Sequence, residues 1–119
     1  MRRRLPVDAE APPAPAIFGT EQRTRLLLLI AALGETYPAE LSSYSGATIP
    51  SVQKTLDLLE NEGFIATRPL VVRIVTLNPV YPAAKELKAF LLRVAEGYPE
   101  YRDIAESIRR RPRRRKKRL

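Results

Sequence analysis

The chain has 119 residues, a formal net charge of +8, and neither cysteine nor histidine. This length suits one small domain with tails. The missing residue types exclude disulfides, thiolate and imidazole chemistry and the usual zinc ligands, so we expect no metal and no cofactor. The longest apolar run, residues 26–33, is far shorter than the ~20 residues of a membrane helix, so no membrane span is expected.

The positive charge lies mainly at the two ends of the chain. Arg2, Arg3 and Arg4 stand at the beginning, and nine basic residues stand at the end: Arg109, Arg110, Arg111, Arg113, Arg114, Arg115, Lys116, Lys117 and Arg118. Without these 12 of the 21 basic residues, the body has 9 basic residues against 13 acidic ones. Attraction to a polyanion is therefore expected to come mainly from the ends.

Residues 1–16 are predicted to form a disordered, basic and proline-rich arm. The arm would lie on DNA; the alternative is a solvated tail. Acids and prolines follow the first arginines where an export signal would have an apolar segment. We therefore expect the protein in the cytoplasm, associated with the nucleoid.

A first helix is predicted to begin after Thr20, which can cap it. Its main apolar face follows the helical period and consists of Leu26, Leu29, Ile30 and Leu33. Leu27 and Leu28 lie outside that face. The helix must therefore be covered on more than one side, by a C-terminal helix or by a second subunit.

Two short helices joined by Gly46 come next. The first spans about residues 38–45, and the second spans about residues 49–62, with Thr48 as its cap and Gly63 after its end. The second helix has an inward face at helical spacing, formed by Val52, Leu56 and Leu59. Two crossed helices with a glycine turn are typical of a helix-turn-helix.

The opposite face of the second helix is polar: Pro50, Gln53, Lys54, Asp57 and Asn61, with Ser51 at its shoulder. Gln53 can pair bidentately with adenine, Lys54 can reach guanine or a phosphate, and Ser51 can bond either kind of partner. We predict that these three residues read bases and that Thr48, with the adjoining backbone, holds a phosphate. The alternative is an ordinary polar helix surface.

A hairpin is predicted from residues 64–67 and 71–77, which are rich in β-branched and aromatic residues. Arg68 and Pro69 would form its tip, and Tyr37 would pair beneath it. Arg68 and Arg73 are placed to touch phosphate or to enter a minor groove. For each arginine the alternative is a solvated hairpin charge.

The segment GATIPSVQKTLDLLENEGFI resembles the winged helix-turn-helix regulators of the ArsR and MarR type, and the resemblance covers about residues 17–97. It implies a mainly α domain with a small β-hairpin wing (α+β). It also implies a homodimer in which flanking helices form the interface, here a helix at residues 82–96 together with Leu27 and Leu28. The alternative is that the first helix and this helix cover each other within one chain.

The helix at residues 82–96 has an apolar face of Leu87, Phe90, Leu91 and Val94. A last helix is predicted at residues 98–108, with Tyr101, Ile104, Ala105 and Ile108 on one side. Residues 109–119 would remain unfolded without a partner because of Pro112 and like-charge repulsion. We interpret them as a nucleic-acid-binding tail; the alternative is a solubility or targeting sequence.

The sequence has no phosphate-binding glycine loop, no recognisable nucleophile with its base and no paired carboxylates at a telling spacing, so it predicts no enzyme. The leading hypothesis is a sequence-specific DNA-binding transcriptional regulator on double-stranded DNA. One alternative is a winged-helix protein-interaction module that uses Leu58 and the apolar first helix. Another is an RNA-binding protein that uses its arginine-rich end.

Overall fold

The computed structural model describes residues 16–110. This part confirms the predicted fold class, because it is mainly helical with a small antiparallel hairpin in a winged-helix-like order. It contains α1 (Glu21–Leu33), α2 (Pro38–Ser45), α3 (Ile49–Asn61), β1 (Ile65–Pro69), β2 (Arg73–Leu77), α4 (Ala84–Ala95) and α5 (Pro99–Arg110). None of the described helices is long and apolar enough to cross a membrane.

Helix α1 runs through the centre of the core. The Thr20 hydroxyl oxygen accepts from the Arg23 N–H at 3.0 Å, so the predicted cap is present. Side chains from Leu26 to Ile30 are at most 1 % exposed, and both α4 and α5 pack against α1. Leu27 and Leu28 are therefore covered within one chain. The prediction that they form a dimer interface is wrong, because helices of the same chain already bury them.

The α2–α3 unit agrees closely with its predicted structure. Gly46 has a φ of 82°, which is the left-handed conformation that glycine adopts without strain. The Thr48 hydroxyl oxygen accepts from the Ser51 N–H at 3.3 Å and caps α3. Helix α3 buries Val52, Leu56 and Leu59 completely. Its opposite side is consequently left at the surface.

The hairpin differs from its predicted form in where it turns. Antiparallel pairing runs from Ile65 opposite Leu77 to Pro69 opposite Arg73, so Arg68 and Pro69 belong to β1. The tip is instead the apolar segment at residues 70–72. Pro69 is tolerated at the end of this strand, where its missing N–H interrupts no ladder.

The predicted partner beneath the hairpin is displaced by one residue. Thr36, and not Tyr37, bridges to the hairpin: its N–H donates to the Val75 carbonyl at 3.0 Å, and the Val75 N–H donates back at 2.8 Å. Tyr37 instead precedes the first turn of α2 as its N-cap residue. The bridge ties the loop between α1 and α2 to the hairpin.

The last two helices start and end close to their predicted bounds. In α4, Leu91 and Ala95 are buried, whereas Phe90 is 47 % exposed although it was predicted to face inward. Helix α5 continues to Arg110, so Arg109 and Arg110 are helical and not part of an unfolded tail. Tyr101 is buried and Ile104 is half-buried, while the side chains of Ala105 and Ile108 lie outside the described part.

Candidate nucleic-acid interface

The outer face of α3 is a polar helix surface that the hairpin flanks. Its outward side chains are all exposed: Pro50, Gln53, Lys54, Asp57 and Asn61. No other described helix or strand covers them. A helix with its side chains is about 10–12 Å wide, which matches the width of a DNA major groove of about 12 Å.

Arg73 connects the hairpin to this face. From β2, its Nη1 donates to Gln53 Oε1 at 3.2 Å, and its Nη2 contacts Asp57 Oδ1 at 3.0 Å and Glu60 Oε1 at 3.1 Å. Glu60 is further held by the Thr67 hydroxyl, which donates to Oε2 at 3.1 Å. One guanidinium thus contacts three residues on successive turns of α3. It is turned toward the protein and is not free to contact phosphate as predicted.

Arg68 is also engaged by a carboxylate. It lies on β1 and forms an ion pair with Glu35, which precedes α2. Its side chain is 57 % exposed, so the pair is solvated and contributes only about 0–1 kcal/mol. A phosphate could displace Glu35 at little cost, but Arg68 is not a free cation at the hairpin tip.

Ser51 lies where α3 meets the beginning of α1. Gln22 Nε2 donates to Ser51 Oγ at 3.1 Å and to Thr55 Oγ1 at 2.8 Å. Ser51 is only half-buried, and its hydroxyl hydrogen remains available as a donor. The Gln22 contact was not predicted, because spacing along the sequence does not reveal which polar residues of two helices meet.

Lys54 is the predicted base-reading residue that remains most available. It is exposed on α3, and no other described residue forms an ion pair or a hydrogen bond with its ammonium group. Thr48 is exposed too, but its hydroxyl oxygen already accepts the capping bond. All four predicted residues, Thr48, Ser51, Gln53 and Lys54, therefore lie at the beginning of α3. Ser51 and Gln53 are two positions apart and so lie on different sides of the helix, with Lys54 between them.

The hairpin tip is apolar, whereas the sequence predicts Arg68 and Pro69 at this position. Leu70, Val71 and Val72 are 61 %, 102 % and 47 % exposed. Val71 and Val72 lie outside β2, although β-branched residues favour strands. Leu58 on α3 is also 46 % exposed, so apolar side chains are exposed both on the hairpin and on α3.

The basic residues at the chain ends fall mostly outside this description. The predicted arm and tail residues at 1–15 and 111–119 are not among the described residues. Arg109 and Arg110 lie on the last turn of α5. Among the described residues, no group of three or more carboxylates forms a candidate metal site.

Comparisons of the chain with protein-family models, with curated proteins and with solved structures found no match. The described residues form a winged-helix-like domain in which the outer face of α3 is polar and exposed.

Proposed function

We propose that this protein is a sequence-specific DNA-binding transcriptional regulator that places α3 in the major groove of double-stranded DNA. The observation that carries the proposal is the uncovered outer face of α3, with the hairpin fixed beside it by Arg73. Gln53, Lys54 and Ser51 would contact bases, and each good bidentate contact contributes about 1–3 kcal/mol of discrimination. Such a regulator would act in the cytoplasm, at the nucleoid.

The basic ends would supply affinity that does not depend on sequence. The α3 segment itself has one lysine against two carboxylates, so it attracts phosphate weakly. Arginine and lysine side chains at the ends would release counterions from DNA and account for most of the salt dependence of binding. Recognition and affinity would thus come from different parts of the chain.

A homodimer remains part of this proposal with a changed interface. Because α1 is covered within the chain, a second copy would have to contact the exposed side of α4, where Phe90 lies. Two recognition helices about 34–36 Å apart would then meet an inverted repeat. A single half-site in the selected DNA would instead indicate that a monomer binds.

The test is selection of bound duplexes from a random DNA pool at about 150 mM salt, where surface charges are screened as in cells. The wild-type chain is expected to enrich a motif. Gln53→Ala with Lys54→Ala is expected to lose that motif but to keep nonspecific binding. The control is Lys88→Ala, which removes one exposed lysine from α4 and should leave the motif intact.

A second candidate function is a protein-interaction module, favoured by the exposed tip at residues 70–72 and by Leu58. The part of this hypothesis that used the first helix is wrong, because α1 is buried. The same selection separates the two functions. Nonspecific binding with no enriched motif would favour the interaction module, and enrichment from a parallel pool of structured RNA would favour an RNA-binding protein.

A further inference from the structure

The contact between Gln53 and Arg73 fixes how the Gln53 amide is oriented. A guanidinium group has only donors, so the amide atom that faces Nη1 at 3.2 Å must be the carbonyl oxygen. The NH₂ group is therefore the part of the amide left for a ligand. Gln53 presents hydrogen-bond donors on the outer face of α3.

Asp57 presents the complementary group one helical turn later. Its Oδ1 contacts Arg73 at 3.0 Å, while the carboxylate remains 68 % exposed. No described donor is bonded to Oδ2, which can only accept while the group is ionised. The nearby guanidinium also offsets the repulsion between this carboxylate and DNA phosphates.

These groups match a G·C base pair best, because the two donors, Gln53 and Lys54, suit the two acceptors of guanine, whereas thymine offers only one. In the major groove guanine offers two acceptors, O6 and N7, and cytosine offers the N4 amine as a donor. Bidentate pairing with adenine would require the glutamine oxygen to accept from the N6 amine as well, but Arg73 Nη1 occupies one of its two lone pairs and turns the oxygen toward the hairpin. Lys54, which has only donors, also suits guanine.

We propose that α3 selects G·C base pairs, with Gln53 and Lys54 donating to guanine and Asp57 accepting from the cytosine amine. Arg73 is a positioning residue in this arrangement, because it orients Gln53 and neutralises Asp57 without touching a base. The proposal rests on the proposed function and replaces the adenine contact expected for Gln53. Four residues span about 6 Å of helix, so Gln53 and Asp57 meet base pairs within about two steps.

Selection with the full chain tests the proposal, because Gln53→Ala identifies its own base pair as the motif position that loses preference. In the wild-type motif this position is expected to be G·C. Arg73→Met releases the Gln53 oxygen and should move the position toward A·T by roughly tenfold in relative enrichment. Gln53→Glu keeps a partner for Arg73 but presents only acceptors, so cytosine should replace guanine there.

The outcomes separate the two proposals. A wild-type A·T pair at the Gln53 position, or an Arg73→Met motif identical to the wild-type motif, would overturn the G·C inference while leaving sequence-specific binding intact. If Arg73→Met fails to melt cooperatively, Gln53→Glu alone decides, and a retained guanine preference overturns the inference. No enriched motif for any version would overturn the proposed function itself.

Discussion

Arg73 on β2 and Asp57 on α3 form an ion pair, with 3.0 Å between Nη2 and Oδ1. The arginine side chain is 21 % exposed and the carboxylate 68 %, so the pair spans the edge of the protein surface. It fixes the hairpin against the helix proposed to enter DNA. It also makes Arg73 a residue that neutralises carboxylates, whereas the sequence had suggested a phosphate contact.

Loss of this neutralisation should weaken binding to any duplex. Arg73→Gln leaves Asp57 and Glu60 uncompensated beside DNA, and we expect about a tenfold loss of nonspecific affinity, or ~1.4 kcal/mol. Arg73→Gln with Glu60→Gln restores the local net charge of the wild type and should recover most of that loss. Fluorescence anisotropy on a duplex lacking the motif measures both variants. An unchanged deficit in the double variant would mean that Arg73 contacts phosphate directly.

Release of Arg68 should have the opposite effect. Glu35→Gln removes the carboxylate that holds Arg68, leaving the guanidinium free for one phosphate. We expect severalfold tighter binding and a steeper salt dependence, by about 0.9 in the slope of log affinity against log salt. Asp103→Asn on α5 is the matched control, since it removes one exposed carboxylate from a helix outside the proposed interfaces. Equal effects of the two variants would contradict a specific role for Arg68.

Truncation of the core should show that α1 is covered by its own chain. Leu27→Ala is expected to lower the free energy of unfolding by about 2–5 kcal/mol, because Leu27 is fully buried. Leu58→Ala, on the exposed side of α3, should change it by about 0.5 kcal/mol or less. Urea unfolding at two protein concentrations about a hundredfold apart measures both losses. A loss for Leu27→Ala that depends on concentration would indicate a subunit interface at α1.

Stability at high pH should depend on Tyr101, where α5 packs on α1. Burial raises the pKa of the Tyr101 phenol, and Arg25 Nη1, 3.4 Å from the hydroxyl oxygen, opposes this effect. A folded-state pKa above the unfolded value of 10.0 means that the stability contribution is present below about pH 10. That contribution is then lost as the pH rises through the folded-state pKa.

The matched variant for this pH dependence is Tyr101→Phe, which cannot ionise. Urea unfolding between about pH 9 and about pH 11 is expected to show a steeper loss of stability in the wild type than in the variant. The free energy of unfolding of the wild type minus that of the variant should therefore fall as the pH rises. Parallel curves would contradict a buried, hard-to-ionise Tyr101.

Local signals in the sequence predicted the helices well. Thr20 and Thr48 cap α1 and α3 as expected, and Gly63 has a φ of 87° just after α3. Each of these features depends on a few neighbouring residues. The helical period of the apolar side chains predicted the rest of each helix. The exposed face of α3 followed from the same period.

Features that depend on contacts between distant segments were predicted less well. The turn at residues 70–72 is set by the register between β1 and β2, and the apolar residues around it were equally suited to a strand. The burial of Leu28 depends on how α4 and α5 pack against α1. The partners of Arg73 depend on the approach of β2 to α3, and this approach changed the base expected for Gln53.

Methylation protection at guanine N7 tests the central claim most directly, because N7 lies in the major groove. The substrate is the selected duplex bound by the full chain. The wild type is expected to protect the guanines in the motif. The double variant with Gln53→Ala and Lys54→Ala is expected to give no such protection, and the Lys88→Ala control is expected to give full protection. Guanine N7 atoms that stay equally reactive throughout a tightly bound motif would contradict the proposed contacts of α3 with guanine in the major groove.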